Sequence, residues 1–109
     1  MTKVTIYKSN NGSYRRFTCE GHSGFAKSGS DIVCASISIL VINTINSLEA
    51  LSNEDIEVDS DEIAGFIDCR FLNEINTGSR LLVDSMILGL QTIEEQYGSK
   101  YLRLKIKEV

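Results

Sequence analysis

Apolar and polar residues alternate through the first part of the chain, which is the pattern of β-strands with one buried face. Two alternating runs flank the sequence NNGS at positions 10–13, in which Asn-Gly readily adopts the positive φ angles of a tight turn. The pattern predicts a β-hairpin whose second strand runs from about Tyr14 to Gly21 and delivers His22 at its end. The inward-facing residues are Val4, Ile6, Phe17 and Cys19.

From Asp31 onward the apolar residues recur every three or four positions, which is the spacing of one face of an α-helix. We expect Asp31 to cap this helix, and we expect the helix to lie largely inside the protein, because further apolar residues widen the stripe. The stripe consists of Ile37, Val41, Ile45 and Leu48, the residues that widen it are Ile32, Val33, Ile39, Leu40 and Ile42, and a wetter side carries Asn43, Asn46 and Glu49.

The second half of the chain again combines strands with a helix. The predicted elements are a short strand at Ile56 and Val58, a turn at Asp59–Asp61, a strand over Ile63–Phe71, a helix over Ser79–Tyr97 that ends at Gly98, and a strand over Tyr101–Lys107. The residues predicted to face inward are Ile63, Ile67, Cys69 and Phe71 on the strand and Leu82, Met86, Leu90, Ile93 and Tyr97 on the helix.

The resulting order, ββαββαβ, predicts an α/β fold of two layers. Strands that bury one face fit a mixed five-stranded sheet with both helices on one side. A chain of 109 residues is the size of one compact domain, so we expect residues 1–109 to form a single domain.

Charge and cysteine content narrow the class of protein. The net charge of -4 argues against a partner held by its phosphate backbone, so we expect no direct nucleic-acid ligand. The basic residues Arg103, Lys105 and Lys107 fit a solvated sheet edge better than an RNA contact. Three cysteines without the dense spacing of a secreted scaffold indicate free thiols. The N-terminal residues show no signal-peptide or targeting pattern, so we expect a cytoplasmic protein without membrane contact.

His22 and Cys34 form a constellation suited to nucleophilic chemistry. Cys34 lies three residues past Asp31, and the partial positive charge of a helix N-terminus favours a thiolate there. His22 would supply the base, and backbone N–H groups of residues 29–34 would face an oxyanion. Three roles stay open for Asp31, whose carboxylate would cap the helix, orient His22 or disfavour the thiolate. The alternative is that Cys34 is a small core residue and His22 an ordinary polar one.

The residues around this pair form the pattern G-H-x-G followed by G-x-D-I-V-C-A, with a serine one helical turn further on. This pattern resembles the signature of the bacterial ribosomal-processing cysteine proteases. The segment LGLQTIEEQYG and the start of the hairpin are also similar to that family. In this chain the pattern falls on Gly21, His22, Gly24, Gly29, Asp31, Cys34 and Ser38.

The resemblance implies a homodimeric cysteine protease that removes a short N-terminal extension from a large-subunit ribosomal protein during ribosome maturation, cutting after an aromatic residue. Cys34 matches the nucleophile of the family and His22 its partner in a Cys-His dyad. Gly21, Asp31 and Ser38 match supporting positions. The resemblance implies neither a metal nor an organic cofactor.

The segment between the two candidate catalytic residues, Ser23–Ser30, lacks periodicity and predicts a surface loop. Gly24, Phe25 and Gly29 are candidates for a substrate loop that orders over a bound peptide and excludes water. Glycines at these positions would serve ordinary turn geometry equally well.

Two other functions fit parts of the pattern. A zinc site built from Cys19, His22, Cys34 and Cys69 requires the first two to converge, whereas residues three apart on a strand point to opposite faces. A non-catalytic ribosome-assembly factor would bind the same peptide in the same place without cutting it. Only the protease requires a nucleophilic sulfur, so replacing Cys34 separates these two functions.

Overall fold

A computed structural model describes residues 1–22, 26 and 31–109, and within them the elements follow the predicted order ββαββαβ. The elements are β1 (Thr2–Lys8), β2 (Tyr14–Glu20), α1 (Ile32–Ala50), β3 (Ile56–Asp61), β4 (Phe66–Phe71), α2 (Thr77–Tyr97) and β5 (Leu102–Glu108).

The strands form a mixed sheet in the spatial order β3-β4-β2-β1-β5. β1 is antiparallel to β2 and parallel to β5, and β4 is antiparallel to both β2 and β3. β4 and β5 therefore point the same way, so the chain between them must cross back over the sheet, and α2 is that crossover. The predicted mixed five-stranded α/β fold with two helices is confirmed.

One face of the sheet and both helices share a single hydrophobic core. Val4 pairs with Cys19 and Ile6 with Phe17, so these four side chains point to the same side of the sheet, and all four are buried. The predicted inward face of the first hairpin is confirmed. From the helices, the most deeply buried apolar residues are Val33, Ile37, Val41, Leu48, Val83, Met86 and Leu90.

The opposite face of the sheet is held by an ionic network around Asp68, which is buried. Arg16 donates to both carboxylate oxygens of Asp68, at 2.8 and 2.9 Å. Arg70 donates to Asp68 at 2.6 Å and to Asp59 at 2.8 Å, so the network also joins β3 to β4. A buried carboxylate that accepts several charged donors is stabilised by them. This network lies on the side of the sheet away from the helices and from His22 and Cys34.

The turn predicted at Asp59–Asp61 is wrong, because these residues continue β3 to its end. The chain turns at residues 62–65, where the Asp61 side chain accepts hydrogen bonds from the amides of Ile63 and Ala64. Gly65 completes the turn with a φ of +64°, a conformation that glycine adopts without strain. Ile63 was expected to face the core, but it lies in the turn and is 95% exposed.

The prediction that α1 lies largely inside is also wrong for one of its faces. The inward stripe is buried, but Ile32, Ile39 and Ile42 are 55%, 69% and 46% exposed. By length and composition alone, α1 is apolar enough to cross a membrane, but a helix that packs in a protein core meets the same criteria. The wetter side predicted at Asn43, Asn46 and Glu49 is exposed, and the exposed surface of α1 extends further than predicted.

α2 begins at Thr77, two residues earlier than the predicted start at Ser79. Asn76 caps it, and the Asn76 side chain accepts a hydrogen bond from the Ser79 amide at 2.8 Å. The predicted end at Gly98 is confirmed. Of the predicted inward face, Met86, Leu90 and Ile93 are buried and Leu82 and Tyr97 half-buried; Val83 and Ile87 are buried in addition.

Candidate active site

A cleft of about 430 Å³ lies between α1 and the hairpin of β3 and β4. His22 and Cys34 both line this cleft, as the sequence predicts for residues that work together. Ser38 lines it too, one helical turn beyond Cys34. The cleft continues along α1 past Ile42 and over Val58 of β3. An extended segment of polypeptide therefore has room to lie beside the candidate catalytic pair.

Cys34 is the third residue of α1 and lies in the first turn of the helix. Asp31 has extended backbone angles and caps the helix, and its carboxylate accepts a hydrogen bond from the Cys34 amide at 2.9 Å. The predicted cap at Asp31 is confirmed. Since Asp31 occupies this amide, the Cys34 N–H is not available to an oxyanion while the cap is in place. The Cys34 side chain is half-buried.

His22 lies at the end of β2, as predicted, separated from the last strand residue, Glu20, by Gly21. Its side chain is exposed. The residue before it, Gly21, has a φ of +88°, and its amide donates to the Gly65 carbonyl at 2.8 Å. A Cβ at Gly21 would lie 2.6 Å from the carbonyl oxygen of Met1. This distance is shorter than any that real Cβ atoms show. A glycine is therefore required twice over at this position, by backbone conformation and by close approach.

Gly65 belongs to the site although the sequence analysis did not include it. A Cβ at Gly65 would lie 2.9 Å from both Cε1 and Nε2 of His22, so the imidazole lies against the Gly65 backbone. A signal was present in the sequence, because Gly65 is the glycine nearest the middle of the second hairpin and turns favour glycine. The turn predicted at Asp59–Asp61 instead places Gly65 inside a strand, so its role was missed.

The remaining thiols behave as buried strand residues, as predicted. All three cysteines are free. Cys19 lines the cleft beside Cys34 but is only 8% exposed, and burial, followed by the charges of Cys34 and Glu20, raises the pKa of Cys19 to about 11. Cys69 is fully buried, and burial raises its pKa to about 12. Neither thiol is suited to be a nucleophile near neutral pH.

Some predictions about the site fall outside the described part of the chain. Gly24, Phe25 and Gly29, the candidates for a substrate loop, lie outside the described residues. Among residues 1–22, 26 and 31–109, no three His, Cys, Asp or Glu side chains come together as a metal-binding group. The described residues thus give no support to the alternative zinc site.

A sequence model of the family described as cysteine protease Prp matches residues 1–102. The match spans nearly the whole chain, including every cleft residue named above. The chain belongs to the cysteine protease Prp family. The resemblance noted in the sequence is therefore confirmed. As a member of the Prp family the protein is a cysteine protease, which decides against a non-catalytic binding module.

Relatives of the Prp family match over their full length. The ribosomal processing cysteine protease Prp of Staphylococcus aureus is 30% identical over 107 residues, which cover 98% of this chain and 100% of the relative. A crystal structure of an essential ribosomal processing protease Prp from S. aureus, in complex with a covalently linked product peptide, matches with a TM-score of 0.92 at 30% identity. A second, in complex with a substrate peptide, matches with a TM-score of 0.87 at 29% identity. Each alignment covers 98% of this chain and 100% of the other.

Proposed function

We propose that this Prp family member is an endopeptidase that removes an N-terminal extension from a large-subunit ribosomal protein during ribosome maturation, with Cys34 as nucleophile and His22 as base. One observation carries the assignment of the two residues: both line the same cleft, and Cys34 is the one thiol of the three that is not buried. The S. aureus relative is named a ribosomal processing protease, which supports the class of substrate.

The two side chains supply complementary steps of peptide hydrolysis. His22 takes the proton of the Cys34 thiol, and the thiolate attacks the carbonyl carbon of the scissile bond. The tetrahedral intermediate collapses, and the leaving amine takes the proton from the imidazole. Water, deprotonated by His22, then attacks the thioester and releases the acyl product as a carboxylic acid. The thiol and the neutral imidazole are restored, so no cofactor is consumed.

The walls of the cleft suit an extended peptide with apolar side chains. Beyond Cys34, α1 contributes Ile42 and Ile45, and the facing hairpin contributes Val58 and Ile67. These apolar residues bind side chains by desolvation, and polar residues of the same lining, such as Ser38, Asn46 and Ser60, can fix orientation by hydrogen bonds. We therefore expect apolar residues of the extension to occupy this channel while the scissile bond lies at Cys34.

A dimer is part of the proposal, and the exposed apolar residues of the helices support it. Ile32 and Ile39 are seven residues apart on α1, as Leu81 and Leu88 are on α2, so each pair lies on one helix face. All four are more than half exposed. Clustered apolar residues of this kind mark association surfaces, and two copies of one chain bury them symmetrically. Sedimentation equilibrium should give twice the chain mass of 12.1 kDa.

The cellular location is also a proposal. Three free thiols, one of them a nucleophile that must stay reduced, fit a reducing compartment such as the cytoplasm. Ribosome maturation takes place there as well. A fluorescent fusion found outside the cytoplasm would contradict this location.

Cleavage of a synthetic peptide tests the catalytic pair. Cys34→Ala should lower kcat by at least about a thousandfold, because no other group in the pair can form the thioester. His22→Ala should lower it strongly as well. Both variants should still bind the peptide, as measured by fluorescence anisotropy. The matched control is Cys69→Ala, which removes a thiol that does not line the cleft. Normal turnover by Cys34→Ala would refute the assignment.

Depletion in the organism that encodes the chain tests the substrate. Mass spectrometry of its ribosomes should then find a large-subunit protein that keeps additional N-terminal residues. Complementation with the active protein should restore the short form, and complementation with Cys34→Ala should not. Ribosomal proteins of unchanged mass after depletion would remove the basis for this substrate.

A further inference from the structure

The hairpin of β3 and β4 contacts the candidate base of the active site. His22 is attached to β2, but its imidazole lies against the backbone of Gly65, which follows β3 and precedes β4. The atoms nearest to the place that a Gly65 Cβ would take are Cε1 and Nε2, the edge of the ring that lies farthest from the His22 backbone. The Gly65 backbone at this edge restricts rotation of the imidazole, which would otherwise move Nε2 through the cleft.

Four hydrogen bonds fix the turn that contains Gly65. The Asp61 carboxylate accepts hydrogen bonds from the amides of Ile63 and Ala64, at 3.0 and 3.1 Å, which closes the turn. The Gly65 amide donates to the Glu62 carbonyl at 3.3 Å. The Gly65 carbonyl accepts from the Gly21 amide at 2.8 Å, which ties the turn to the residue before His22. The turn and the histidine are therefore one connected unit.

We propose that Gly65, held by the turn that Asp61 closes, is a positioning residue that sets the orientation of the His22 imidazole towards Cys34. The inference rests on the proposed role of His22 as base and extends it to a residue on another hairpin. Gly65 takes no proton and forms no bond in the reaction. It acts through the ring, and its missing side chain is what lets the imidazole lie where it does.

A methyl group at residue 65 would occupy the place of the ring edge. The nearest imidazole atoms would be 2.9 Å away, so the ring must rotate or shift. A displacement on the order of 1 Å in a catalytic group can cost roughly a hundredfold in rate. We expect Gly65→Ala to lower kcat between about tenfold and a hundredfold while leaving KM nearly unchanged, because the apolar channel for the peptide stays intact.

Backbone strain needs its own control, and Gly12 provides it. Gly12 also has a positive φ, +85°, but a Cβ there would meet nothing within 4 Å. Gly12→Ala therefore introduces similar strain in a distant hairpin without touching a side chain. It should keep kcat within about twofold of the wild type. Equal losses of kcat in Gly65→Ala and Gly12→Ala would show a general effect of strain and would overturn the proposal.

The chain has one histidine, so nuclear magnetic resonance observes this ring without ambiguity in protein from which any affinity tag has been removed. A nuclear Overhauser effect between the Cε1 proton of His22 and an α-proton of Gly65 is expected in the wild type. In Gly65→Ala the imidazole signals should shift, and in Gly12→Ala they should not. Absence of the effect in the wild type would overturn the proposal even if Gly65→Ala did not fold.

Asp61 offers a second test through the same turn. Asp61→Ala removes the acceptor for two amides and should lower kcat and shift the imidazole signals. Asp61→Asn keeps an oxygen acceptor and should restore both, which separates the hydrogen bonds of the turn from the negative charge. Failure of Asp61→Asn to restore the imidazole signals would overturn the role of the turn.

The result distinguishes this inference from the proposed function. If His22→Ala keeps full activity, then His22 is not the base and the proposed function fails, whatever the imidazole signals show. If His22→Ala is inactive while Gly65→Ala is fully active with a displaced ring, then the base stands and the positioning role of Gly65 is refuted.

Discussion

The two helices of this protein begin in the same way and end up with different tasks. At α1, the Asp31 side chain accepts a hydrogen bond from the amide of the third helical residue, Cys34, at 2.9 Å. At α2, the Asn76 side chain accepts from the amide of the third helical residue, Ser79, at 2.8 Å. Both starts have the same cap hydrogen bond, and both place a small side chain with a nucleophilic atom at the third position.

The surroundings of the two side chains differ. Ser79 is fully buried, and its hydroxyl lies 2.7 Å from that of Ser52. The cap beside it is also fastened, since the Asn76 amide donates to Glu54 and the Asn76 side chain donates to the Ser52 carbonyl. Cys34 opens into the cleft that it shares with His22. The α2 start is closed by these hydrogen bonds, whereas Cys34 at the α1 start faces the cleft; we call them the closed start and the open start.

A helix N-terminus is therefore not by itself a reactive site. The partial positive charge of the helix acts at both starts. At α2 it only helps to anchor the helix, because the side chain has a partner and no access. At α1 the same charge lies beside an accessible sulfur and an imidazole. Access and a neighbouring base therefore decide which start can carry chemistry.

The largest expected effect is on thiol reactivity. At pH 7.5, iodoacetamide should modify Cys34 at least about a hundred times faster than Cys19 or Cys69, whose raised pKa values keep them protonated. The variant Ser79→Cys places a thiol at the equivalent position of α2, and this thiol should react as slowly as the buried ones. Peptide mapping by mass spectrometry gives each rate. If the thiol that Ser79→Cys introduces reacts fast, then access does not decide which helix start is reactive.

The buried thiols should also make the fold sensitive to alkaline pH. Their pKa values are raised to about 11 for Cys19 and about 12 for Cys69, so the folded state keeps protons that the unfolded chain has lost. Stability from this source is fully present below pH about 9 and is lost as pH rises towards 11 to 12. Between pH 8 and 10.5 the free energy of unfolding should fall by roughly 2 kcal/mol or more.

Urea denaturation at several pH values measures this fall. Cys69→Ala serves as the control, because it removes one of the two groups. It should be less stable at neutral pH, since it leaves a small cavity, but its stability should decline less steeply with pH. An equally steep decline in Cys69→Ala would mean that the Cys69 thiol is not responsible for the loss of stability.

Removing each cap should lower the stability of the fold by different amounts. Asn76→Ala loses the cap and the bond to the Ser52 carbonyl, so the free energy of unfolding should fall by about 2 kcal/mol. Asp31→Ala loses the cap bond and should cost about 1 kcal/mol. Chemical denaturation measures both changes. A larger loss for Asp31→Ala would contradict the view that the α2 start is the structural one.

The sequence predicted one of these two starts, and the reason is local. Asp31 stands directly before an apolar periodic run, so its role as cap is visible in the pattern. Asn76 is followed by Thr77 and Gly78, which favour turns over helices, and the start was predicted at Ser79 instead. Tertiary hydrogen bonds that Asn76 donates to the Ser52 carbonyl and to the Glu54 side chain stabilise the earlier start, and no pattern within residues 73–79 contains them.

The candidate site divides in the same way. His22, Cys34, Gly21 and Ser38 follow from a motif within a short stretch of chain, and His22, Cys34 and Ser38 line one cleft. Gly65 comes from a hairpin whose length was misjudged. Asp59 and Asp61 are poor strand formers, yet they pair with β4 at an exposed edge, where the ladder outweighs propensity. The contact between His22 and Gly65 depends on that pairing, which periodicity does not encode.

The smallest expected effect concerns the charge at the open start. Asp31→Asn keeps an oxygen that accepts from the Cys34 amide but removes a negative charge beside the sulfur. Because like charges repel, the neutral cap should favour the thiolate, and Cys34 should react with iodoacetamide about threefold to tenfold faster near pH 7. Stability should fall by less than about 1 kcal/mol, since a carboxylate at a helix start contributes little more. The matched change Asn76→Asp alters the charge at the closed start and should leave the rate at Cys34 unchanged. An unchanged rate in Asp31→Asn would mean that the charge of Asp31 does not affect the Cys34 thiol and that the open start differs from the closed one in access, not in charge.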